Sequence, residues 1–149
     1  MGCNDPTLLQ GELKMSENAT IQFDGERKAI VTYTATIAST TAEDYTFAKT
    51  AFANSTTNGK AVTRLDINRV WFNVSATAPA KAMTIEWNSS GTNELALTAI
   101  YAGDYDFSSV GGLINAKPTD WDGGIKILFN SVTNGDTCSV MLELLKRYD

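Results

Sequence analysis

The sequence contains no histidine. This absence excludes Ser-His-Asp and Cys-His nucleophilic mechanisms, and it also excludes zinc sites built on imidazole ligands. No Gly-x-Gly-x-x-Gly segment opens a helix, and no glycine-rich phosphate-binding loop ends in Lys-Ser/Thr. A glycosidase needs two carboxylates that face one cleft, and no motif indicates such a pair. We therefore predict a protein that is not an enzyme and binds no cofactor or metal, with a carboxylate-based enzyme as the catalytic alternative.

Basic residues and long apolar runs are also scarce. The 12 Lys and Arg residues are scattered among 17 Asp and Glu residues, which gives a net charge of −5. Nucleic-acid binding depends on many cationic contacts to phosphate, so we predict neither nucleic-acid binding nor direct contact with an anionic membrane. No stretch approaches the roughly 18 apolar residues of a membrane helix, and the N-terminus lacks the basic-then-apolar pattern of a secretory signal.

The cysteines are Cys3 and Cys138. Cys3 lies in a polar N-terminal segment, whereas Cys138 belongs to an alternating apolar run. This placement predicts one loose thiol and one buried thiol. The spacing gives no reason for a disulfide between them, and that question stays open.

The main pattern in the sequence is the alternation of apolar and polar residues. Thr and Asn are abundant, which favours strands joined by turns. Residues 19–24 and 28–38 both alternate, and Asp24-Gly25 between them predicts a hairpin. Similar short runs follow at residues 69–75, 82–87, 94–101, 125–129 and 138–144. We therefore predict an all-β fold, an antiparallel β-sandwich that is jelly-roll-like.

Two stretches are harder to assign. Residues 41–53 combine a capping-box pattern at Thr41 and Asp44 with the strand-favouring Tyr45 and Phe47, and we favour a strand. Residues 102–124 are rich in Gly and Asp, which predicts a long loop. The first 18 residues are polar and then apolar, so we predict a short N-terminal arm over residues 1–18 and a sandwich domain over residues 19–149.

The carboxylates of the predicted loop offer the one hint of a metal site. Asp104 and Asp106 lie near its start, and Asp120-Trp121-Asp122-Gly123 near its end resembles the beginning of a calcium loop. The EF-hand pattern requires a further oxygen ligand before the glycine and a later Glu, and both are missing. We expect these side chains to cap turns in a solvated loop, and calcium binding stays open.

Apolar residues without an evident place in the core predict the partner-binding surface. Trp87 aligns with Met83 and Ile85 and is expected in the core, whereas Trp71 faces away from its apolar neighbours on the same strand. A strand with large apolar groups on both faces is typical of a domain that meets a partner. The predicted partner-binding residues are Leu8, Leu9, Leu13 and Met15 of the arm, together with Trp71 and Trp121.

A series of strand and turn signatures over about residues 20–149 resembles a known class of proteins. The segments are Asp24–Ala29 (DGERKA), Ile67–Phe72 (INRVWF), Met83–Trp87 (MTIEW), Gly103–Phe107 (GDYDF), Gly111–Leu113 (GGL), Gly123–Ile125 (GGI), Gly135–Leu144 (GDTCSVMLEL) and Lys146–Tyr148 (KRY). In this order they resemble small virion structural proteins of tailed bacteriophages, which decorate or cement the capsid shell or join head to tail.

The resemblance implies a β-rich domain located in the virion, without catalysis and without a defined catalytic site. Its implied partners are the major capsid protein or other virion proteins, and further copies of itself. The alternatives are a head–tail connector or tail component of such a particle and, from another class, a carbohydrate-binding β-sandwich module that uses Trp71 or Trp121.

Overall fold

A computed structural model describes residues 17–38, 42–77, 83–115 and 120–148. Within these ranges the chain forms nine strands and two single-turn 3₁₀ helices, at Lys49–Ala51 and Ser108–Val110. No helix of the described ranges is long and apolar enough to cross a membrane. The strands are β1 (Glu17–Asp24), β2 (Lys28–Thr36), β3 (Glu43–Phe47), β4 (Arg64–Ser75), β5 (Met83–Ser89), β6 (Glu94–Ala99), β7 (Ala102–Asp106), β8 (Trp121–Phe129) and β9 (Thr137–Arg147).

The strands form two antiparallel sheets packed face to face. The five-stranded sheet has the order β1-β2-β9-β4-β7, and the four-stranded sheet has the order β3-β8-β5-β6. The pairs β2 with β9, β3 with β8, β4 with β7 and β5 with β6 are all hydrogen-bonded. The chain from β2 to β9 is thus one long antiparallel hairpin wrapped into two sheets, which is a jelly roll. The predicted fold class is confirmed.

The first hairpin has the predicted position. β1 and β2 pair antiparallel from Glu17 opposite Ala35 to Asp24 opposite Ala29. The turn closes through a hydrogen bond from the Gly25 amide to the Lys28 carbonyl, 2.8 Å long. β1 begins at Glu17, so the last two residues of the predicted arm belong to this strand. Residues 1–16, which include Leu8, Leu9, Leu13 and Met15, lie outside the described ranges.

The core lies between the sheets and follows the predicted alternation. Cys138 is 4% exposed with a free thiol, so its predicted burial is confirmed, and Trp87 is 3% exposed as expected. Burying such side chains away from water is the main favourable contribution to folding. The largest fully buried side chains are Tyr33, Phe129, Ile37, Leu65, Ile67, Met83, Ile85, Ile125, Ile127, Leu142, Leu144 and Val31.

The two uncertain stretches resolve differently. The favoured strand within residues 41–53 is confirmed as β3, which ends at Phe47 before a single 3₁₀ turn. The single long loop predicted for residues 102–124 is wrong, because Ala102–Asp106 forms β7 at the edge of the five-stranded sheet and Trp121 begins β8. All five residues of β7 are exposed, so no face of it carries the apolar alternation by which strands are recognised.

Candidate partner-binding surface

Outward-facing side chains of three neighbouring strands form a groove in the middle of the five-stranded sheet. Two rows of cross-strand neighbours line it: Thr32, Met141 and Trp71 in one row, and Thr34, Ser139 and Asn73 in the next. Phe72, Val140 and Gly103 complete the lining, and the volume is about 430 Å³. We call this site the Trp71 groove. All of its lining residues are uncharged, although the protein as a whole carries a net charge of −5.

A β-bulge places Trp71 on this face. Before it, Leu65 and Ile67 point into the core, whereas after it Val70 and Val74 do so. The register of β4 against β9 shifts between Ile67 and Arg69, which inserts one extra residue and exchanges the two faces. Without this shift the side chain of Trp71 would point inward, because side chains alternate strictly along a regular strand. Bulges of this kind are common next to functional sites.

The Trp71 ring is held in place by a neighbouring cation. The guanidinium carbon of Arg69 lies 4.6 Å from the ring centroid, a cation–π contact on one side of the indole. Arg69 Nε also lies 3.6 Å from Oδ2 of Asp106 on β7. Hydrogen bonds from Ser108, together with the charge of Arg69, hold the pKa of Asp106 below its usual value. This chain of contacts, from Asp106 through Arg69, holds the indole from one side.

Trp121, the other predicted binding tryptophan, lies in the four-stranded sheet and does not contribute to the groove. Its ring meets Trp87 edge to face at 5.1 Å between centroids. Its Nε1 donates a hydrogen bond of 2.8 Å to the Gly124 carbonyl oxygen. The ring is partly buried against the core and its polar atom is satisfied. The structure therefore does not bring Trp71 and Trp121 together into one aromatic platform.

The carboxylates of the predicted loop are separated between the two sheets, and two of them accept hydrogen bonds within turns. Asp106 accepts hydrogen bonds from the amide and hydroxyl of Ser108, at 2.9 and 2.6 Å. Asp122 accepts one from the Gly124 amide at 2.7 Å. Asp104 and Asp106 lie on β7 of one sheet, whereas Asp122 lies on β8 of the other sheet and Asp120 directly precedes β8.

Glycine is required at position 123, between Asp122 and Gly124, for steric reasons. Gly123 has φ +88°, and a Cβ there would collide with the Thr63 carbonyl oxygen. The pair Asp122-Gly123 therefore has a structural explanation, since only glycine fits the backbone at position 123 of β8. Among the described residues, no group of three or more His, Cys, Asp or Glu side chains is arranged to hold a metal ion.

A larger crevice of about 560 Å³ lies at the hairpin end of the sandwich, and most of its cations are paired with carboxylates. Its lining cations are Arg27, Lys28, Lys146 and Arg147. Three of them bond to carboxylates, at 3.2 Å in the pair Lys28–Glu143, 2.6 Å in Lys146–Asp24 and 2.7 Å in Arg147–Asp66. Ligand binding there would have to compete with these pairs. The Trp71 groove has no such competition, since its lining is uncharged.

Sequence reasoning identified Trp71 and missed most of its surroundings. Met141 is 40% exposed and directly opposite Trp71, and the signal for it was present: it is a large apolar residue on an outward position of β9, between Ser139 and Glu143. Thr34 could not be placed near Trp71, because the order of strands in a sheet is not encoded in the alternation of any one strand.

The fold and this surface define a jelly-roll domain with an uncharged groove, centred on Trp71, on one sheet face. No protein-family model and no curated protein sequence matches the chain. Among solved structures it is similar to a cupin domain from Bordetella pertussis Tohama I, with 10% identity, 89% of this chain and 94% of that chain covered, and a TM-score of 0.31. It is also similar to the coat protein of Tobacco streak virus, with 7% identity, 91% and 88% covered, and a TM-score of 0.31.

Proposed function

We propose that this chain is a non-enzymatic structural protein of a tailed-phage virion that decorates or cements the capsid shell through subunit–subunit contacts. The observation that carries the proposal is the Trp71 groove. Aromatic residues and Met are enriched in the buried centres of protein interfaces, and charged residues are depleted there. A jelly-roll sheet face with Trp71 opposite Met141 and an uncharged lining has this composition.

The class of partner comes from the resemblance of the sequence to virion proteins. The major capsid protein, other virion proteins and further copies of the chain are the partners it implies. Binding many copies to a shell stabilises the assembled state by mass action, since each contact favours the bound form over the free one. A head–tail connector or tail component would use the same type of surface at another position in the particle.

The carbohydrate-binding alternative has less support from the geometry. Sugar platforms use open aromatic faces, yet Arg69 covers one face of Trp71 and Trp121 packs against Trp87. The hydroxyl and amide groups of Thr34, Ser139 and Asn73 are the features that favour a sugar. We therefore include oligosaccharide titration in the test below.

The test is co-sedimentation of the full-length chain with capsid shells assembled from the major capsid protein of the same phage. We expect saturable binding. Replacing a central interface Trp costs about 2 kcal/mol or more, so Trp71→Ala should weaken binding by about thirtyfold. Tyr101→Ala is the matched control, since Tyr101 is an aromatic residue 63% exposed and is not part of the groove.

Two results would contradict the proposal. The first is the absence of the chain from the shell pellet under conditions where the shells are intact. The second is a Trp71-dependent fluorescence change on adding oligosaccharides, without shell binding, which would favour the carbohydrate-binding module.

A further inference from the structure

The start of β1 and the Trp71 groove share the same rows of the five-stranded sheet. Asn18 pairs with Thr34, and Thr34 and Asn73 both pair with Ser139. Neighbouring strands lie about 4.8 Å apart, so the far side of the groove on β4 is roughly 14 Å from β1. The segment of residues 1–16 therefore joins the domain close to an uncharged groove on the same sheet.

That segment carries the apolar residues whose partner the sequence does not identify. Leu8, Leu9, Leu13 and Met15 fall within eight positions. An extended segment of this length spans at most about 28 Å, which exceeds the roughly 19 Å across five strands. Four apolar side chains in one short segment can fill an apolar groove, while Thr, Ser and Asn at its rim can bond to the backbone of the segment.

The segment of the same chain fits this groove poorly. Met15 lies two residues before Glu17, so it can reach at most about 7 Å from the end of β1. β1 runs antiparallel to β2 and starts opposite Ala35, so the direction of the strand, traced back to Glu17, points away from the groove and toward the end of the sheet. Between the row of Ala35 and the end of the sheet there is only one further row of cross-strand neighbours, formed by Thr36, Thr137 and Ser75. Covering its own groove would require the chain to reverse within a few residues.

We infer that the Trp71 groove of one copy binds residues 8–15 of a second copy. This inference rests on the proposed function, since it names a further copy of the chain as the partner of the same surface. Two copies can exchange these segments reciprocally about a two-fold axis, which gives a closed dimer. Such exchange joins neighbouring decorating subunits, so the groove contributes to shell binding through contacts between copies on the shell.

The test is a disulfide between two single-site variants of the full-length chain, both in a Cys3→Ser background. One variant carries Leu9→Cys in the segment, and the other carries Asn73→Cys, an exposed position of the groove. The two are mixed under mild oxidation, and the mixed disulfide is identified by mass spectrometry. The control acceptor is Leu95→Cys, which is 59% exposed in the other sheet.

We expect about tenfold or more mixed disulfide with Asn73→Cys than with Leu95→Cys, because docking raises the local concentration of the thiol to the millimolar range. Adding Trp71→Ala to the acceptor should reduce the yield toward that of the control. Equal yields with both acceptors would overturn the inference. A double variant that forms the disulfide only within one chain would also overturn it, because the segment would then occupy its own groove.

Failure of this inference and failure of the proposed function give different results. If the chain binds shells but forms no mixed disulfide, the proposed virion role stands and the exchange of segments between copies is rejected. A mixed disulfide without shell binding would keep the exchanged dimer and remove the virion role.

Discussion

Trp71 and Met141 lie directly opposite each other on the neighbouring strands β4 and β9, on the outer face of the five-stranded sheet. The next residue of β9, Leu142, points to the other face and is fully buried. One strand therefore contributes to both the proposed interface and the core. This difference between adjacent residues makes the two roles separable by mutation.

We expect Leu142→Ala to destabilise the domain by about 2–5 kcal/mol, because it leaves a cavity between the sheets. Met141→Ala removes a side chain that is 40% exposed, and it should cost less than about 1 kcal/mol. Urea unfolding of both variants, with the midpoint and the slope of each transition measured, checks this prediction. Similar losses for the two variants would contradict the assigned faces of β9.

Acid should loosen the contact between the first hairpin and the loop at residues 54–60. Glu26 accepts bonds from the Ser55 hydroxyl at 2.6 Å, the Thr56 amide at 2.6 Å and the Thr56 hydroxyl at 2.8 Å. These bonds, that of Ser55 first, lower the pKa of Glu26 from 4.5 to about 2. A carboxyl with a lowered pKa in the folded state stabilises it above the unfolded pKa, and this contribution is lost as the pH falls toward the folded pKa.

Melting temperatures of wild type and Glu26→Gln between pH 7 and pH 2 check this prediction. The variant should melt lower than wild type at pH 7, and the difference should shrink between about pH 4.5 and pH 2. Glu94→Gln, at an exposed position, is the matched control and should follow wild type. If the melting temperature of Glu26→Gln is lower than that of wild type by the same amount at every pH, the lowered pKa assigned to Glu26 is contradicted.

Glu17 should affect the pH dependence of stability in the opposite direction to Glu26. Burial, with contributions from Glu43 and Asp44, raises the pKa of Glu17 above 4.5. A raised carboxyl pKa means that the folded state binds the proton more tightly, so stability falls as the pH rises from about 4.5 through the folded pKa. Glu17→Gln should therefore melt higher than wild type at pH 7, with the difference vanishing below about pH 4. A Glu17→Gln variant that melts lower at neutral pH would show that the carboxylate stabilises the start of β1.

The thiol of Cys138 should be inert in the folded protein. Burial raises its pKa to about 12, and the thiolate is the reactive form. In a Cys3→Ser background, a thiol reagent should label Cys138 slowly until denaturant is added. The additional variant Leu95→Cys should react rapidly, because Leu95 is 59% exposed and lies outside the groove. Fast native labelling of Cys138 would mean that the register of β9 is wrong.

The parts of the fold that were predictable follow from local patterns. Strict alternation in β5 and β9 assigned Trp87 and Cys138 to the core, because side chains of a strand point alternately to its two faces. β7 was missed because an exposed edge strand buries neither face, and because Gly103 at its second position is typical of a loop. Alternation gives no signal for such a strand.

The candidate site was predictable only in its central residue. The outward direction of Trp71 could be read from the alternation after Arg69, although the bulge that produces it could not. Met141, Thr34 and Ser139 became neighbours of Trp71 through the placement of β9 between β2 and β4. That placement depends on how the whole chain wraps, and the hydrogen bonds involved join residues far apart in sequence.

Hydroxyl-radical footprinting of the chain, free and bound to capsid shells, tests the central claim most directly. Trp and Met are both readily oxidised, and the proposed interface holds one of each, Trp71 and Met141. The virion role through this groove predicts strong protection of both residues in shell-bound protein relative to the free chain at a dilution where it is monomeric, with oxidation of Tyr101 unchanged. Equal oxidation of Trp71 and Met141 in free and shell-bound protein would contradict it.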